Sequence, residues 1–247
     1  MLLKLPNYQL DKKVIDIWLC QLSDLENKNA LFLEQLSTEE QARSARFKFA
    51  IHRNRFISSH GFMRTVLANY LHIRPQQIEY KKGDQGKPSL ANPEAGLIEF
   101  NLSHTEDLAI LAISKASAVG IDIEHNDRKT DWQGICKRFF TVSEQDALSV
   151  LPEEAQGRAF FDLWTRKEAY MKVLGTGLSL SPTEFTLSVY PQAPKLIHHH
   201  STKFPALEKV GFAMIDLSEL LKTLENYSAT LAVAEENFTH QLYQFTA

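Results

Sequence analysis

Val119-Gly120-Ile121-Asp122-Ile123-Glu124 alternates small or apolar residues with acidic ones at the two-residue period of a β-strand. In that geometry Ile121 and Ile123 face a core, while Asp122 and Glu124 share the opposite face with Cα atoms roughly 6.5–7 Å apart. Two like charges that close repel, and a bound cation removes the penalty. The stretch therefore reads either as a metal-holding strand or as an edge strand with a solvated acidic face.

Outward from this stretch, residues 98–102, 108–114 and 118–123 form three apolar runs joined by short turns. The loop composition of Gly83-Asp84-Gln85-Gly86-Lys87-Pro88 precedes them. Further upstream, residues 14–22 read as a strand. Ser37-Thr38-Glu39-Glu40 carries a capping residue and first-turn acids, a helix start. Phe56, Met63, Val66, Leu67 and Tyr70 recur at helical spacing and predict a helix over 53–71, with Pro75 opening a short second one. Downstream, 160–174 is a strong helical pattern ended by Gly175, and strands are expected at 185–190, 211–217 and 229–234. Helix followed by strands, twice over, predicts an α+β fold of two similar halves packed side by side. No residue-level repeat relates the halves.

The chain has 247 residues, 27 Lys and Arg, 30 Asp and Glu, and a formal net charge of −3. That length supplies ample core for one large domain or two small ones. The charge argues against a general nucleic-acid binder. Cys20 and Cys136 are far apart and read as free thiols of a reducing compartment. The first residues lack the long apolar region of a secretory signal, and no apolar run approaches the ~20 residues of a membrane span. The expectation is a cytoplasmic protein.

A second acidic site lies in Trp164-Thr165-Arg166-Lys167-Glu168-Ala169-Tyr170-Met171-Lys172. Trp164, Glu168 and Lys172 fall at i, i+4 and i+8 and share one helical face. A surface salt bridge between Glu168 and Lys172 is the plainer reading. Asn101-Leu102-Ser103-His104 ends a predicted strand, where Ser103 and His104 offer a hydroxyl and an imidazole to a phosphate, or simply stabilise a turn. Arg43, Arg46, Arg53, Arg55 and Arg64 cluster in the first half; arginine suits bidentate phosphate contacts, although a solvated helix face explains the cluster equally. His198-His199-His200 reads as solvated surface on a loop.

Taken as an ordered set, these segments resemble the 4′-phosphopantetheinyl transferases of the surfactin type. The carrying residues are Gly86-Lys87-Pro88, Phe100-Asn101-Leu102-Ser103-His104 and Val119 to Glu124. They continue with Arg138-Phe139-Phe140-Thr141 and Glu144, then Phe161-Asp162-Leu163-Trp164-Thr165-Arg166-Lys167-Glu168-Ala169, then Lys172-Val173-Leu174-Gly175-Thr176-Gly177-Leu178. The match runs from residue 86 to 180; the first 85 residues match only loosely, and the tail after residue 190 hardly at all. The resemblance implies a pseudo-twofold α+β fold, with an N-terminal half over 1–118, a C-terminal half over 119–247 and coenzyme A bound between them. It implies transfer of phosphopantetheine from coenzyme A to a serine of an apo acyl or peptidyl carrier protein, release of 3′,5′-ADP, and a requirement for Mg²⁺.

By position, Asp122, Glu124 and Glu168 match the family's metal and catalytic acids. Lys87, Ser103, His104 and Lys172 match its phosphate contacts, and Arg43 and Arg55 fall near its basic residues for the 3′-phosphate. A lysine that the family often has just before Arg43 is here Glu40 or Gln41. Glu168 is expected either as general base or as a third metal ligand, with Lys172 stabilising the leaving phosphate. The expected protein is a monomer with no nucleic-acid or membrane partner. Two other classes stay open: a non-catalytic module that binds coenzyme A or a carrier protein, and a metal-dependent phosphodiesterase using the same carboxylates.

Overall fold

The computed structural model describes residues 10–127, 129–220 and 226–246. In chain order they form β1 (Val14–Gln21), α1 (Asn29–Gln35), α2 (Thr38–Ser44), α3 (Ala50–Leu71), β2 (Tyr80–Lys82), β3 (Pro88–Leu90), β4 (Ile98–Thr105), β5 (Leu108–Lys115) and β6 (Val119–His125). The second part adds α4 (Trp132–Phe139), α5 (Val142–Ser149), α6 (Glu153–Leu174), β7 (Phe185–Leu187), β8 (Leu196–His199), β9 (Gly211–Met214), β10 (Tyr227–Val233) and β11 (Thr239–Gln244). None of the described helices is long and apolar enough to cross a membrane.

One plan occurs twice. In the first half a strand leads to a 22-residue helix and then to two antiparallel strands, arranged β1-β5-β4. In the second a strand leads to another 22-residue helix and two further strands, arranged β6-β10-β9. The α+β expectation of two similar halves matches this topology. The chain passes between the sheets at β6, but β11 returns to pair in parallel with the outer edge of β1. That parallel strand was not legible as a strand in the sequence.

Three apolar clusters divide the work. α3 packs Phe62, Val66 and Leu67 on Trp18, Leu111 and Ile113 of the first sheet. α6 packs Phe160, Tyr170 and Met171 among α4, α5 and β7. Between the sheets, Ile15, Ile17, Leu19, Ile110, Ile121, Ile123, Leu231 and Val233 form a shared core. β1 is buried on both faces because α3 covers one and the second sheet the other, which is why residues 15–20 are a run rather than an alternation.

Alternation in β6 does what the sequence promised. Val119, Ile121 and Ile123 enter the shared core, so Gly120, Asp122 and Glu124 turn to the face that carries α6. Gly120 is required there. A Cβ at this position would lie 2.2 Å from the Ala169 carbonyl oxygen and 2.4 Å from the Val173 nitrogen, both backbone atoms that cannot swing away. The helix therefore lies directly on the strand, and its Glu168–Lys172 turn comes down beside Asp122.

Several boundaries differ from expectation for physical reasons. Ser103 and His104 lie inside β4, not on a turn; the strand runs to Thr105 because β5 pairs with it throughout, and the reversal falls at Glu106, whose φ is 46°. α6 begins at Glu153, a full seven residues before the apolar pattern, because Glu153 and Glu154 supply first-turn acids on a solvated stretch. His198 and His199 belong to β8, paired with β7, rather than to a loop. The expected cap at Ser37 is present as a capping box with Glu40, and Gly175 closes α6 in the left-handed conformation at φ 72°.

Gly120→Ala is expected to force α6 away from β6, lowering stability by at least about 2–3 kcal/mol in urea denaturation. The same variant is expected to lose activity even under conditions where it remains folded.

Candidate active site

β4 and β6 are edge strands of different sheets, and they meet without forming a backbone ladder. Side chains join them instead, in register. Ile121 donates its backbone N–H to Asn101 Oδ1 at 2.8 Å, Ser103 donates its hydroxyl to Asp122 Oδ1 at 2.8 Å, and Thr105 donates to Glu124 Oε2 at 3.2 Å. The free edge of β6 also receives two lysines. Lys172 Nζ donates to the Ile121 carbonyl at 3.0 Å and Lys87 Nζ to the Val119 carbonyl at 2.9 Å.

Lys172 is the hub. Besides Ile121 it reaches Asp122 Oδ1 at 2.7 Å and Ser103 Oγ at 3.0 Å, so one ammonium ties α6, β4 and β6 together. The surface Glu168–Lys172 pair that spacing alone allows is not the arrangement found: Lys172 turns inward to Asp122. Burial first, and the nearby Asp122 carboxylate second, push Glu168 up to about 7; Lys172 opposes the shift and Glu124 adds to it. Asp122 Oδ2 is buried without a hydrogen-bond partner.

Asp122, Glu124, Glu168, Lys172 and Ser103 thus come together. Lys87 stands further along the same edge, half-buried rather than on an exposed loop; burial lowers it to about 8, with Glu99 opposing. His104 points the other way. It follows Phe100 and Leu102 on the α3 side of β4. Burial and then His60, Lys172, Arg55 and Arg43 hold its imidazole below the ordinary range. Because the residue is exposed at the rim of the sheet, the surrounding cations are the more durable cause. Arg43 and Arg55 are therefore near this face without touching the acids. The Arg43 guanidinium lies 5.2 Å from the Phe56 ring centroid, and Phe56 stacks on His60.

Beside them opens a cleft of about 540 Å³ lined by Arg43, His60, Arg64, Tyr80, Lys82 and Glu40 among others. Sequence reasoning missed its central ion pair. Glu40 accepts from Arg64 Nε at 2.8 Å and meets His60 Nδ1 at 2.9 Å while capping α2 through the Ser37 N–H. Burial alone would raise this carboxyl, but the hydrogen bonds from His60 and Arg64 overcome it and bring it down to about 2. Asn101 and Thr105 were also missed as seam residues. The signal was there in the two-residue polar period Asn101, Ser103, Thr105, which places all three on one face.

Behind the site, Lys167 Nζ and Glu144 Oε1 form a buried pair at 2.9 Å. Lys167 also donates to the carbonyls of Pro182 and Phe185, and Glu144 accepts from the N–H groups of Thr141 and Leu187. Every strong partner of the pair is thereby engaged, which is the condition under which a buried ion pair is tolerable. It pins α6 to α5 and β7 and fixes the rotation that leaves Glu168, the next residue, facing β6.

The donor chemistry fits a hard cation. Carboxylate oxygens are suited to Mg²⁺, which keeps several waters and takes only one or two carboxylates besides substrate phosphates. The orphaned Asp122 Oδ2 provides one such oxygen, and Glu124 and Glu168 lie within electrostatic reach. Among the described residues no group of three or more His, Cys, Asp or Glu is gathered tightly enough to hold a metal by protein ligands alone.

Glu40→Gln is expected to lower stability by up to about 3 kcal/mol near neutral pH. The sign follows from a carboxyl depressed on folding: its contribution is complete above the ordinary value of 4.5 and disappears as pH falls through about 2. Urea titrations of both proteins should show a gap that is flat at neutral pH and closes across that window.

A family model described as the 4′-phosphopantetheinyl transferase superfamily matches residues 118–232, and one described as 4′-phosphopantetheinyl transferase, N-terminal, matches residues 23–116. The 4′-phosphopantetheinyl transferase HetI of Nostoc sp. is 37% identical over 191 residues, covering 73% of this chain and 80% of the relative. The 4′-phosphopantetheinyl transferase Sfp of Bacillus subtilis is 28% identical over 165 residues, covering 67% and 71%. A holo-(acyl-carrier-protein) synthase from Bacillus anthracis, solved in complex with CoA (3′,5′-ADP), aligns at 20% identity and a TM-score of 0.38 over 48% of this chain and 96% of the other.

Proposed function

The chain belongs to the 4′-phosphopantetheinyl transferase superfamily, and from that premise we propose that it moves 4′-phosphopantetheine from coenzyme A to a serine of an apo acyl or peptidyl carrier protein. The observation that carries this reading is the seam itself. Glu168 and Lys172 of α6, Asp122 and Glu124 of β6, and Ser103 of β4 converge on one place, with the cation-rich face of His104, Arg43 and Arg55 adjoining it.

In the proposed reaction the carrier serine oxygen bonds to the phosphorus that bears pantetheine. The bridging P–O bond of the pyrophosphate breaks, and 3′,5′-ADP leaves with the electron pair. The serine proton passes to Glu168, directly or through water. A carboxylate raised to about 7 suits that task near neutral pH, being a stronger base than an ordinary glutamate while still available ionised. Lys172 and Lys87 leave their carbonyl partners on β6 to meet the pyrophosphate, and Ser103 contacts it from the seam face of β4, while His104 meets phosphate from the opposite face beside Arg43 and Arg55. Arg43 and Arg55 take the 3′-phosphate, with the adjoining cleft holding the nucleotide end. Asp122 and Glu124 would hold Mg²⁺; when bound the ion supplies charge neutralisation at the phosphates. One chain furnishes both sides of the seam, so we assign the working unit as a monomer, acting in the cytoplasm.

Glu168→Gln is expected to reduce transfer by at least about a hundredfold, the usual scale for loss of a general base. Coenzyme A binding, followed by calorimetry, should persist; near-normal turnover would refute the base assignment. The direct test of function is the intact mass of an apo carrier protein after incubation with coenzyme A and Mg²⁺. A gain of one phosphopantetheine, lost on chelation and in Asp122→Ala, is the expected result. Free phosphopantetheine in solution instead would make the protein a hydrolase.

A further inference from the structure

We propose that Asn101 is a positioning residue: it holds β6 in register against β4, and so sets how tightly Asp122 and Glu124 retain their divalent cation. The inference rests on the functional reading above, but its physical basis is independent of turnover.

Among the described residues, β6 has β10 on one side and no strand ladder on the other. Its unpaired edge would present buried backbone groups without partners, a condition that folded proteins avoid. The Asn101 side chain ends this problem at Ile121, where its Oδ1 stands in for the carbonyl of a missing strand. Of the three in-register joints along the seam, those of Ser103 and Thr105 grip carboxylate side chains, whereas that of Asn101 grips backbone. Ile121 immediately precedes Asp122. Its N–H therefore fixes the height of Asp122 along β4, and a one-residue slip would turn both acids toward the shared apolar core.

The two lysines on the same edge cannot serve this purpose throughout the reaction. Lys172 and Lys87 are charged and only partly buried, and each is drawn to any phosphate that enters. Asn101 is neutral and buried. Carrying no charge, it is not drawn to a phosphate as the lysines are, and it keeps its Oδ1 bond to Ile121 when the lysines release theirs. The division is between cations that hold the empty seam and an amide that holds it when loaded.

The test compares wild type, Asn101→Leu and Asn101→Asp. Leucine keeps the shape and removes the acceptor; aspartate keeps an acceptor oxygen. Mn²⁺ binding with coenzyme A present is read by electron paramagnetic resonance, and the exchange rate of the Ile121 amide by NMR. The expected result is slow Ile121 exchange in wild type, and in Asn101→Leu fast exchange with a half-saturating Mn²⁺ concentration raised on the order of tenfold or more. In that variant KM for the carrier protein should stay unchanged, and Asn101→Asp should bind Mn²⁺ close to the wild-type value.

A folded Asn101→Leu protein with wild-type Mn²⁺ binding overturns the proposal, as does an aspartate variant impaired as much as the leucine one. Should Asn101→Leu not fold, the wild-type Ile121 amide and the aspartate variant decide: fast exchange of the one, or loosened Mn²⁺ in the other, overturns it. A wild type that transfers nothing, yet shows the predicted exchange and Mn²⁺ differences, would remove the transferase reading and leave the role of Asn101 standing.

Discussion

Two strand edges that approach without a backbone ladder create the constraint on which the molecule turns. An edge strand buried against another sheet must satisfy its N–H and C=O groups by some other means. Here polar side chains do so: Asn101 and Lys172 at Ile121, Lys87 at Val119. Such a seam is a cleft lined with donors and acceptors by necessity, and two of its donors are cations able to exchange a carbonyl for a phosphate. The need to join two half-folds and, on the proposed reading, the binding of a pyrophosphate would then have one physical source.

The second dependence is the closeness of α6 to β6. Gly120 admits the helix backbone to the strand face, and the buried Lys167–Glu144 pair fixes the helix rotation from behind. Together they bring a carboxylate, Glu168, beside two others. Like charges in a partly buried space cannot all ionise freely, so burial and the Asp122 charge raise Glu168 toward neutrality while Lys172 compensates Asp122. The same crowding that raises the basicity of Glu168 is what a bound cation would relieve. Across β4 the sign reverses: His104 looks out on Arg43, Arg55 and His60, a field suited to phosphate.

Much of this was legible before any coordinates. The β6 alternation is a strong local signal because one face must be apolar and the other was acidic. The two long helices announced their apolar parts, 53–71 and 160–174, by periodicity, and the cap near Ser37 and the glycine stop at Gly175 are short-range chemistry. What failed depended on partners remote in sequence. β11 lies parallel to β1 over two hundred residues away, and its half-exposed pattern carries no sign of that pairing. The strand at His198 and His199 exists because β7 pairs with it. The partners of Glu40 were not legible either: Arg64 and His60 are brought beside it by the packing of α2 on α3.

The sequence by itself determined the chemistry available: which side chains are acids, which are phosphate-binding cations, and on which face of each local element they stand. Periodicity and residue type are local properties, and local geometry decides them. Only the tertiary structure decided how those faces meet. Glu168 and Lys172 read as a surface pair by spacing, yet Lys172 leaves its helical neighbour for Asp122, fifty residues away. Asn101 and Thr105 were given no role by the sequence, yet they join two sheets. These contacts follow from the meeting of two edges and from the space left by one missing Cβ at Gly120, and they acquire their strength from burial, which no stretch of sequence specifies alone.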